Sequence, residues 1–402
     1  MTMFVLVMGA LVLGYLILRA NSLWVYKVLD RALRNDRNIL PKSYELPKYY
    51  KLKAGGEIDV SSRWPGWDGW YFFMVPDDKN LPVKMVRASL MTGLYGLKGI
   101  DNYENLPPGL SAFDVVEYLT LIPMEDGAGG TSTKENHLSQ HYLPKGTSLA
   151  MNPNELEITV AEGQRGRYGQ ISGSWPTYEF QFITPETGIN FSLSYTGEKL
   201  VWWTDMPQVF TYFAAFGRFS GSLTYKRETG VEQVYALEGS GFFEHGFARK
   251  PGNFDNLWAP IRWLKKLLPS LRPVRYHYEL LLGDQPHQGG FMYVRALGIT
   301  WRNRGGLYVD NSYREVNHVQ VEYLQDPAPD LLPIREGEPP LPFYRSWKVK
   351  AETGEGILEY VGIRQWPPAL IASNMIYYNF SYEGTYRGEV ISGRGYGEYV
   401  HI

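Results

Sequence analysis

Residues Glu238–His245 read EGSGFFEH and close a long region in which polar and apolar residues alternate. Segments such as LEITVAEG, YEFQFITP and INFSLSY have the same period of two and are bounded by turn-forming residues. Alternation interrupted by turns about every 8 to 12 positions is typical of an antiparallel barrel or sandwich. The stretch therefore predicts the end of a β domain, and the adjacent Glu244 and His245 are its first candidate functional residues.

The end of the chain repeats this pattern. Phe219–His245 and Phe380–His401 both begin Phe-Ser, both place Thr-Tyr four residues after that Ser, and both end on Gly-x-Gly-aromatic-x-Glu. Such self-similarity predicts a duplicated domain. We expect an all-β protein of two tandem antiparallel barrels, the first over residues 50–250 and the second over residues 272–402.

Composition narrows the possible functions. A chain of 402 residues exceeds one ordinary core and favours two domains. Its 40 basic and 42 acidic residues give no basic surplus, which argues against a nucleic-acid partner. The absence of cysteine excludes disulfides, thiolate metal sites and a cysteine nucleophile. The many aromatic residues suit β-sheet faces and pockets for apolar ligands.

The first eighteen residues, MTMFVLVMGALVLGYLIL, carry no charge, and basic residues follow them. The length is close to that of a membrane-spanning helix, and the charge order predicts an uncleaved anchor with the main body facing the cytoplasm. We therefore predict a transmembrane anchor at residues 1–20 and a juxtamembrane segment at 21–49.

The run FDNLWAPIRWLKKLLPSLRP predicts an amphipathic linker helix within 251–271. The Gly-rich segment 127–147 is predicted to be a long loop, and the proline-rich segment Asp326–Pro342 an excursion between strands.

The tandem organisation resembles the AttH/carotenoid-hydratase-like branch of the lipocalin superfamily, which includes hydroxyneurosporene-synthase-type enzymes. The resemblance rests on Gly239, Gly241, Phe242, Glu244 and His245, together with RYHYELLLGD at Arg275–Asp284. It implies two lipocalin-like barrels. It also implies either an enzyme or a carrier, because the wider group includes carotenoid hydratases, lipocalin-like Diels-Alderases and a ceramide carrier.

Adjacent strand residues point to opposite faces, so only one of Glu244 and His245 can face the interior of its own barrel. Either residue could act as a proton donor in an apolar site, or both could stabilise the barrel junction. Because Glu398 and Tyr399 occupy the corresponding positions in the second copy, the glutamates favour a structural role and His245 a functional one. The predicted ligand-lining residues are aromatic: Trp67, Trp70, Tyr71, Trp202, Trp203, Tyr276, Tyr278 and Tyr399. The spacing of His137 and His141 does not match a metal motif, and we predict no metal or cofactor.

Two functions from different classes remain. The first is a membrane-anchored carrier or sequestering protein for a hydrophobic ligand such as a lipid, sterol or isoprenoid. The second is a cofactor-free hydratase, isomerase or cyclase acting on a polyene, isoprenoid or polyketide. A purely structural membrane protein, with barrels filled by side chains, is a third possibility. The carrier is slightly favoured because no acid-base set is compelling in the sequence.

Overall fold

A computed structural model describes most of the chain after residue 66. The described residues are 53–55, 59, 67–92, 109, 114–126, 133–152, 155–161, 167–184, 186–206, 210–226, 230–248, 274–282, 287–296, 299–333, 340–372 and 375–401. The predicted anchor, juxtamembrane segment and linker helix lie outside these residues. Within them, no helix is long and apolar enough to span a membrane.

The first domain is one antiparallel sheet of eleven strands. In chain order they are β1 (Trp67–Pro76), β2 (Val86–Thr92), β3 (Val115–Asp126), β4 (Thr133–Pro144), β5 (Leu149–Met151), β6 (Leu156–Ala161), β7 (Arg167–Ser174), β8 (Thr177–Thr184), β9 (Ile189–Met206), β10 (Phe210–Lys226) and β11 (Glu232–Ala248). The spatial order is β4-β3-β2-β1-β11-β10-β9-β8-β7-β6-β5. The end strands β4 and β5 are joined by a single helical turn, α1 (Lys145–Ser148). The Tyr118 hydroxyl on β3 donates to the Ile183 carbonyl on β8, so the sheet curls into a barrel.

The second domain also contains eleven strands. They are β12 (Val274–Leu281), β13 (His287–Ala296), β14 (Ile299–Val309), β15 (Ser312–Tyr323), β16 (Asp330–Leu332), β17 (Leu341–Phe343), β18 (Ser346–Thr353), β19 (Gly356–Arg364), β20 (Ala369–Ala372), β21 (Met375–Tyr386) and β22 (Glu389–His401). The main sheet runs β19-β18-β15-β14-β13-β12-β22-β21-β20, and β19 also pairs with β21. That pairing closes a ring of eight strands, a size whose interior holds side chains or one small ligand. Strands β16 and β17 form a separate hairpin within the proline-rich excursion.

Alternation along each strand creates three buried layers. Trp70, Phe72 and Met74 on β1 point into the core of the first barrel. Phe73 and Val75 point the other way and pack against residues of the second barrel such as Leu280 and Tyr396. The second barrel has a core of its own. One face of β1 therefore lines a barrel interior, and the other lines the interface between the barrels.

The strand registers relate the two copies of the repeat. Glu244 pairs with Tyr71 on β1, and Glu398 pairs with Tyr278 on β12. Each glutamate strand therefore lies beside the first strand of its own barrel. The strands before them do not follow the sequence alignment, which matches Phe219 with Phe380. Gly239 pairs with Phe219 in the first barrel, whereas its counterpart Gly393 pairs with Tyr382, two residues beyond Phe380.

The prediction of a long loop at 127–147 is wrong over most of its length. Thr133–Pro144 forms β4, which pairs with β3 along its whole length. Its side chains are mostly polar and partly exposed, since this strand lies at the edge of the sheet. An edge strand with little apolar content lacks the alternation by which strands are recognised.

Close backbone packing requires the first glycine of EGSGFFEH, Gly239. A Cβ atom on Gly239 would lie 2.2 Å from the Val75 carbonyl oxygen and 2.8 Å from the Pro76 Cα atom.

We expect Gly239→Ala to lower the free energy of unfolding by about 1–3 kcal/mol, because the backbone of β1 must shift. The matched control is Gly354→Ala, where a Cβ would meet nothing within 4 Å and the change should be below about 0.5 kcal/mol. Urea denaturation measures both, and equal effects would contradict this packing argument.

Candidate functional site

Two glutamate–tyrosine pairs face one another across the barrel interface. Tyr71 lies beside Glu244 on the first barrel, and Tyr278 lies beside Glu398 on the second. The Tyr278 hydroxyl crosses the interface and donates to Glu244 Oε2 at 3.2 Å. Tyr278 therefore lies between the two carboxyl groups: its hydroxyl binds Glu244, and Glu398 is its neighbour on the adjacent strand.

This end of the interface is not fully closed. Tyr71, Glu244, Tyr276 and Glu398 keep partial solvent exposure, whereas Phe73 and Leu280, farther along the same strands, are completely buried. We call the region lined by Tyr71, Glu244, Tyr276, Tyr278 and Glu398 the inter-barrel crevice. Four of these five residues were among the sequence candidates, and the crevice brings them together from both barrels.

A buried arginine joins the two barrels next to the crevice. Arg87 on β2 is 1% exposed. Its guanidinium donates to Ser89 Oγ at 3.0 Å, and across the interface to the hydroxyls of Tyr377 at 2.8 Å and Tyr396 at 3.2 Å. The Tyr396 hydroxyl in turn donates to Glu398 Oε1 at 2.8 Å. Arg87 therefore connects the first barrel to Glu398 through one tyrosine.

The electrostatics of the crevice favour a protonated carboxyl. Burial raises the pKa of Glu398, although nearby Arg87 and the Tyr396 hydrogen bond act in the opposite direction. Burial likewise raises the pKa of Glu117, which accepts a 2.6 Å hydrogen bond from Gln140 at the margin of the interface. Burial and the neighbouring acidic groups also raise the pKa of Tyr71 and Tyr276. A carboxyl group with a raised pKa can donate a proton near neutral pH.

His245 lies on the opposite face of β11, inside the first barrel. Its Nε2 atom lies 2.6 Å from Asp68 Oδ1, and its ring stacks on Trp70 with centroids 4.7 Å apart. Both His245 and Asp68 are almost completely buried. The sequence favoured a functional role for His245, whereas the structure pairs it with Asp68 in the barrel core. Asp68 was missed because it is 177 positions away in the chain.

This pairing predicts that His245→Ala destabilises the first barrel. Removing the imidazole leaves a buried carboxylate without this partner, so we expect a loss of about 3–5 kcal/mol in the free energy of unfolding. The measurement is urea denaturation monitored by circular dichroism. His318→Ala, at a partly exposed position on β15, is the control and should change stability by less than about 0.5 kcal/mol. A stable His245→Ala protein would contradict the structural role of the pair.

Two of the remaining candidates, Tyr399 and Trp70, lie inside the barrels, away from the crevice. Tyr399 points into the second barrel, where its ring contacts His277 and Phe343. Trp70 lies inside the first barrel. Trp67 pairs with Ala248, and Trp202 and Trp203 pair with Ala214 and Phe213, but their side chains lie outside the described part of the structure.

A group with the residue types of a hydrolase triad occurs on the first barrel. His141 Nε2 lies 3.1 Å from Ser139 Oγ and 2.5 Å from Glu186 Oε1, and Ser139 also donates to Glu186 at 2.9 Å. In a catalytic triad the acid contacts one ring nitrogen and the serine contacts the other. Here both contact Nε2, so the group does not provide a base for the serine.

Comparison with known proteins supports the architecture. No family model and no curated protein matches the chain. Among solved structures, CghA crystallised with Sch210972 matches at a TM-score of 0.50 and 12% identity, covering 89% of this chain and 97% of that one. Kievitone hydratase from Nectria haematococca gives the same values. At this identity the likeness concerns the fold alone, and it supports a tandem lipocalin-like arrangement of two barrels. Membership of the AttH/carotenoid-hydratase-like branch stays a prediction.

Proposed function

We propose that this chain is a hydratase-type enzyme that adds water to, or removes it from, a hydrophobic unsaturated molecule bound in the inter-barrel crevice. One observation carries the proposal. Glu244 and Glu398, which occupy corresponding positions in the two barrels, flank Tyr278 in a partly open site lined by aromatic rings. A pair of carboxyl groups with different environments is the arrangement that acid-base catalysis requires.

The proposed step assigns one role to each carboxyl group. Glu398, whose pKa is raised by burial, donates its proton to one carbon of the double bond. Water forms a bond to the other carbon and passes a proton to the carboxylate of Glu244. Exchange of protons with solvent then restores both groups. Tyr278 orients Glu244 through its hydrogen bond, and the rings of Tyr71 and Tyr276 line the position of the apolar substrate.

Two features favour this enzyme over the carrier that the sequence slightly preferred. A carrier needs only an apolar cavity, whereas burying carboxyl groups opposes stability unless they serve a purpose. In addition, one of the solved structures with the same fold is named a hydratase.

Membrane attachment through residues 1–20, with the barrels facing the cytoplasm, remains part of the proposal. Carbonate extraction of cells expressing the full chain, and of a variant lacking those residues, tests it.

The enzyme proposal is tested with purified full-length protein and a panel of probes in isotope-labelled water. The panel contains kievitone, a linear carotenoid and a prenylated phenol. We expect mass spectrometry to show that at least one probe incorporates one labelled oxygen atom, and that the reaction requires Glu398. Recovery of every bound probe unchanged would instead support a carrier.

A further inference from the structure

The core of the second barrel contains a polar cluster that the proposed reaction does not use. His277 and Glu279 alternate with apolar residues on β12 and point into the barrel, and each is at most 3% exposed. His277 Nε2 lies 2.8 Å from Glu279 Oε1. The hydroxyl of Tyr378 on β21 lies 3.4 Å from each of these two atoms. Three potential ligand atoms of different types therefore converge at one point.

The fold itself does not require polar groups here. Through the strand registers, the positions of His277, Glu279 and Tyr378 correspond to Trp70, Phe72 and Ala215 in the first barrel. Those three residues are apolar and completely buried, and the buried polar pair of the first barrel, His245 and Asp68, lies at other positions. Apolar side chains can thus fill these three positions in a barrel of this kind, and the polar set in the second barrel calls for a separate explanation.

We propose that His277, Glu279 and Tyr378 bind a single transition-metal ion inside the second barrel, with ferric iron as the best match. Bonds of about 2.0–2.2 Å to nitrogen and oxygen ligands place neighbouring ligand atoms about 2.8–3.6 Å apart. The three separations in the cluster fall within this range. Imidazole suits iron, zinc and copper. A phenolate and a carboxylate add hard oxygen ligands that favour ferric iron, and binding would release the tyrosine proton.

The surrounding residues match the outer shell of a metal site. A histidine ligand normally makes a hydrogen bond through its second ring nitrogen, which fixes the ring orientation. His277 Nδ1 lies 3.0 Å from the Tyr323 hydroxyl on β15. The second carboxyl oxygen of Glu279 accepts a hydrogen bond from Tyr360 on β19. Trp347 covers the cluster with its ring centroid 6.1 Å from that of His277.

The sequence analysis predicted no metal, and the types and spacing of the three proposed ligands explain why this site was missed. The described residues contain no group of three His, Cys, Asp or Glu side chains placed to hold an ion. The third ligand is a tyrosine about one hundred positions from the other two, so neither motif spacing nor the usual ligand types reveal it.

The test uses the full-length protein dialysed against a ferrous salt in air, followed by removal of unbound iron. We expect about one iron per chain by elemental analysis, together with a visible tyrosinate-to-iron charge-transfer band. Tyr378→Phe removes a single oxygen atom and should abolish the band and most of the iron. Tyr323→Phe should weaken iron binding by about 10–100-fold, as changes in an outer shell do.

Tyr382→Phe is the matched control, because Tyr382 is equally buried in the same core but is not a proposed ligand. Circular dichroism checks that each variant is folded, and Glu279→Gln replaces Tyr378→Phe if the latter does not fold. Stoichiometric zinc in place of iron, lost in the same variants, would support the site. The proposal is overturned if the wild-type protein retains no more iron or zinc than Tyr378→Phe, whatever the activity at the crevice.

Discussion

Glu398→Gln is expected to lower turnover at the inter-barrel crevice by about 10²–10⁴-fold while leaving both barrels folded, because a positioned general acid contributes a factor of this size. The amide keeps an acceptor for the Tyr396 hydroxyl, so the hydrogen bond to this side chain is retained. What is lost is the proton that Glu398 supplies. The measurement is the initial rate of product formation with whichever probe the wild-type protein hydrates.

The pH dependence provides a second readout of the same group. Burial raises the pKa of Glu398, and the protonated form is the active one. On the alkaline side of the profile, the rate should therefore fall as the pH increases through this raised pKa. Glu398→Gln should remove that part of the pH profile.

The control for Glu398→Gln is Glu359→Gln on β19, whose side chain is 60% exposed. It should keep wild-type turnover and the wild-type pH profile. Glu244→Gln should also reduce turnover, because Glu244 is the proposed proton acceptor. Full activity of Glu398→Gln with impaired stability would instead restore the purely structural interpretation of the two glutamates.

Arg87→Ala is expected to lower the free energy of unfolding by about 3 kcal/mol or more. Hydrogen bonds to a charged group contribute about 1.5–3 kcal/mol each, and truncation also leaves a cavity and unpaired hydroxyls at the interface. Two of the three partners, Tyr377 and Tyr396, belong to the other barrel. We therefore also expect the two barrels to unfold in separate transitions, measured by tryptophan fluorescence and circular dichroism in urea.

Arg218→Ala is the matched control for Arg87→Ala. Arg218 makes a partly exposed ion pair with Asp77 at the surface of the first barrel. Exposed pairs contribute at most about 1 kcal/mol, so this variant should stay close to the wild type and unfold as the wild type does. Equal losses for the two variants would show that Arg87 does not stabilise the interface between the barrels.

The sequence alone determined the local part of this structure. A period of two forces neighbouring residues onto opposite faces of a strand, so Glu244 and His245 had to be separated. The repeated Gly-x-Gly-aromatic-x-Glu motif predicted two related barrels, and the observed architecture contains them. The strand Thr133–Pro144 was missed because an edge strand with polar side chains on both faces carries no hydrophobic alternation.

Tertiary structure decided which faces meet and therefore what each residue does. Arg87 contacts Tyr396 across 309 positions, and His245 contacts Asp68 across 177. Alternation shows that a side chain lies on one of two faces, but it does not show whether that face covers a barrel core or the second barrel. That choice depends on how the two barrels pack, since the partners of each face come from strands distant in the chain. For this reason Glu244, Tyr71, Tyr276 and Tyr278 could be named from the sequence, whereas their grouping with Glu398 and Arg87 could not.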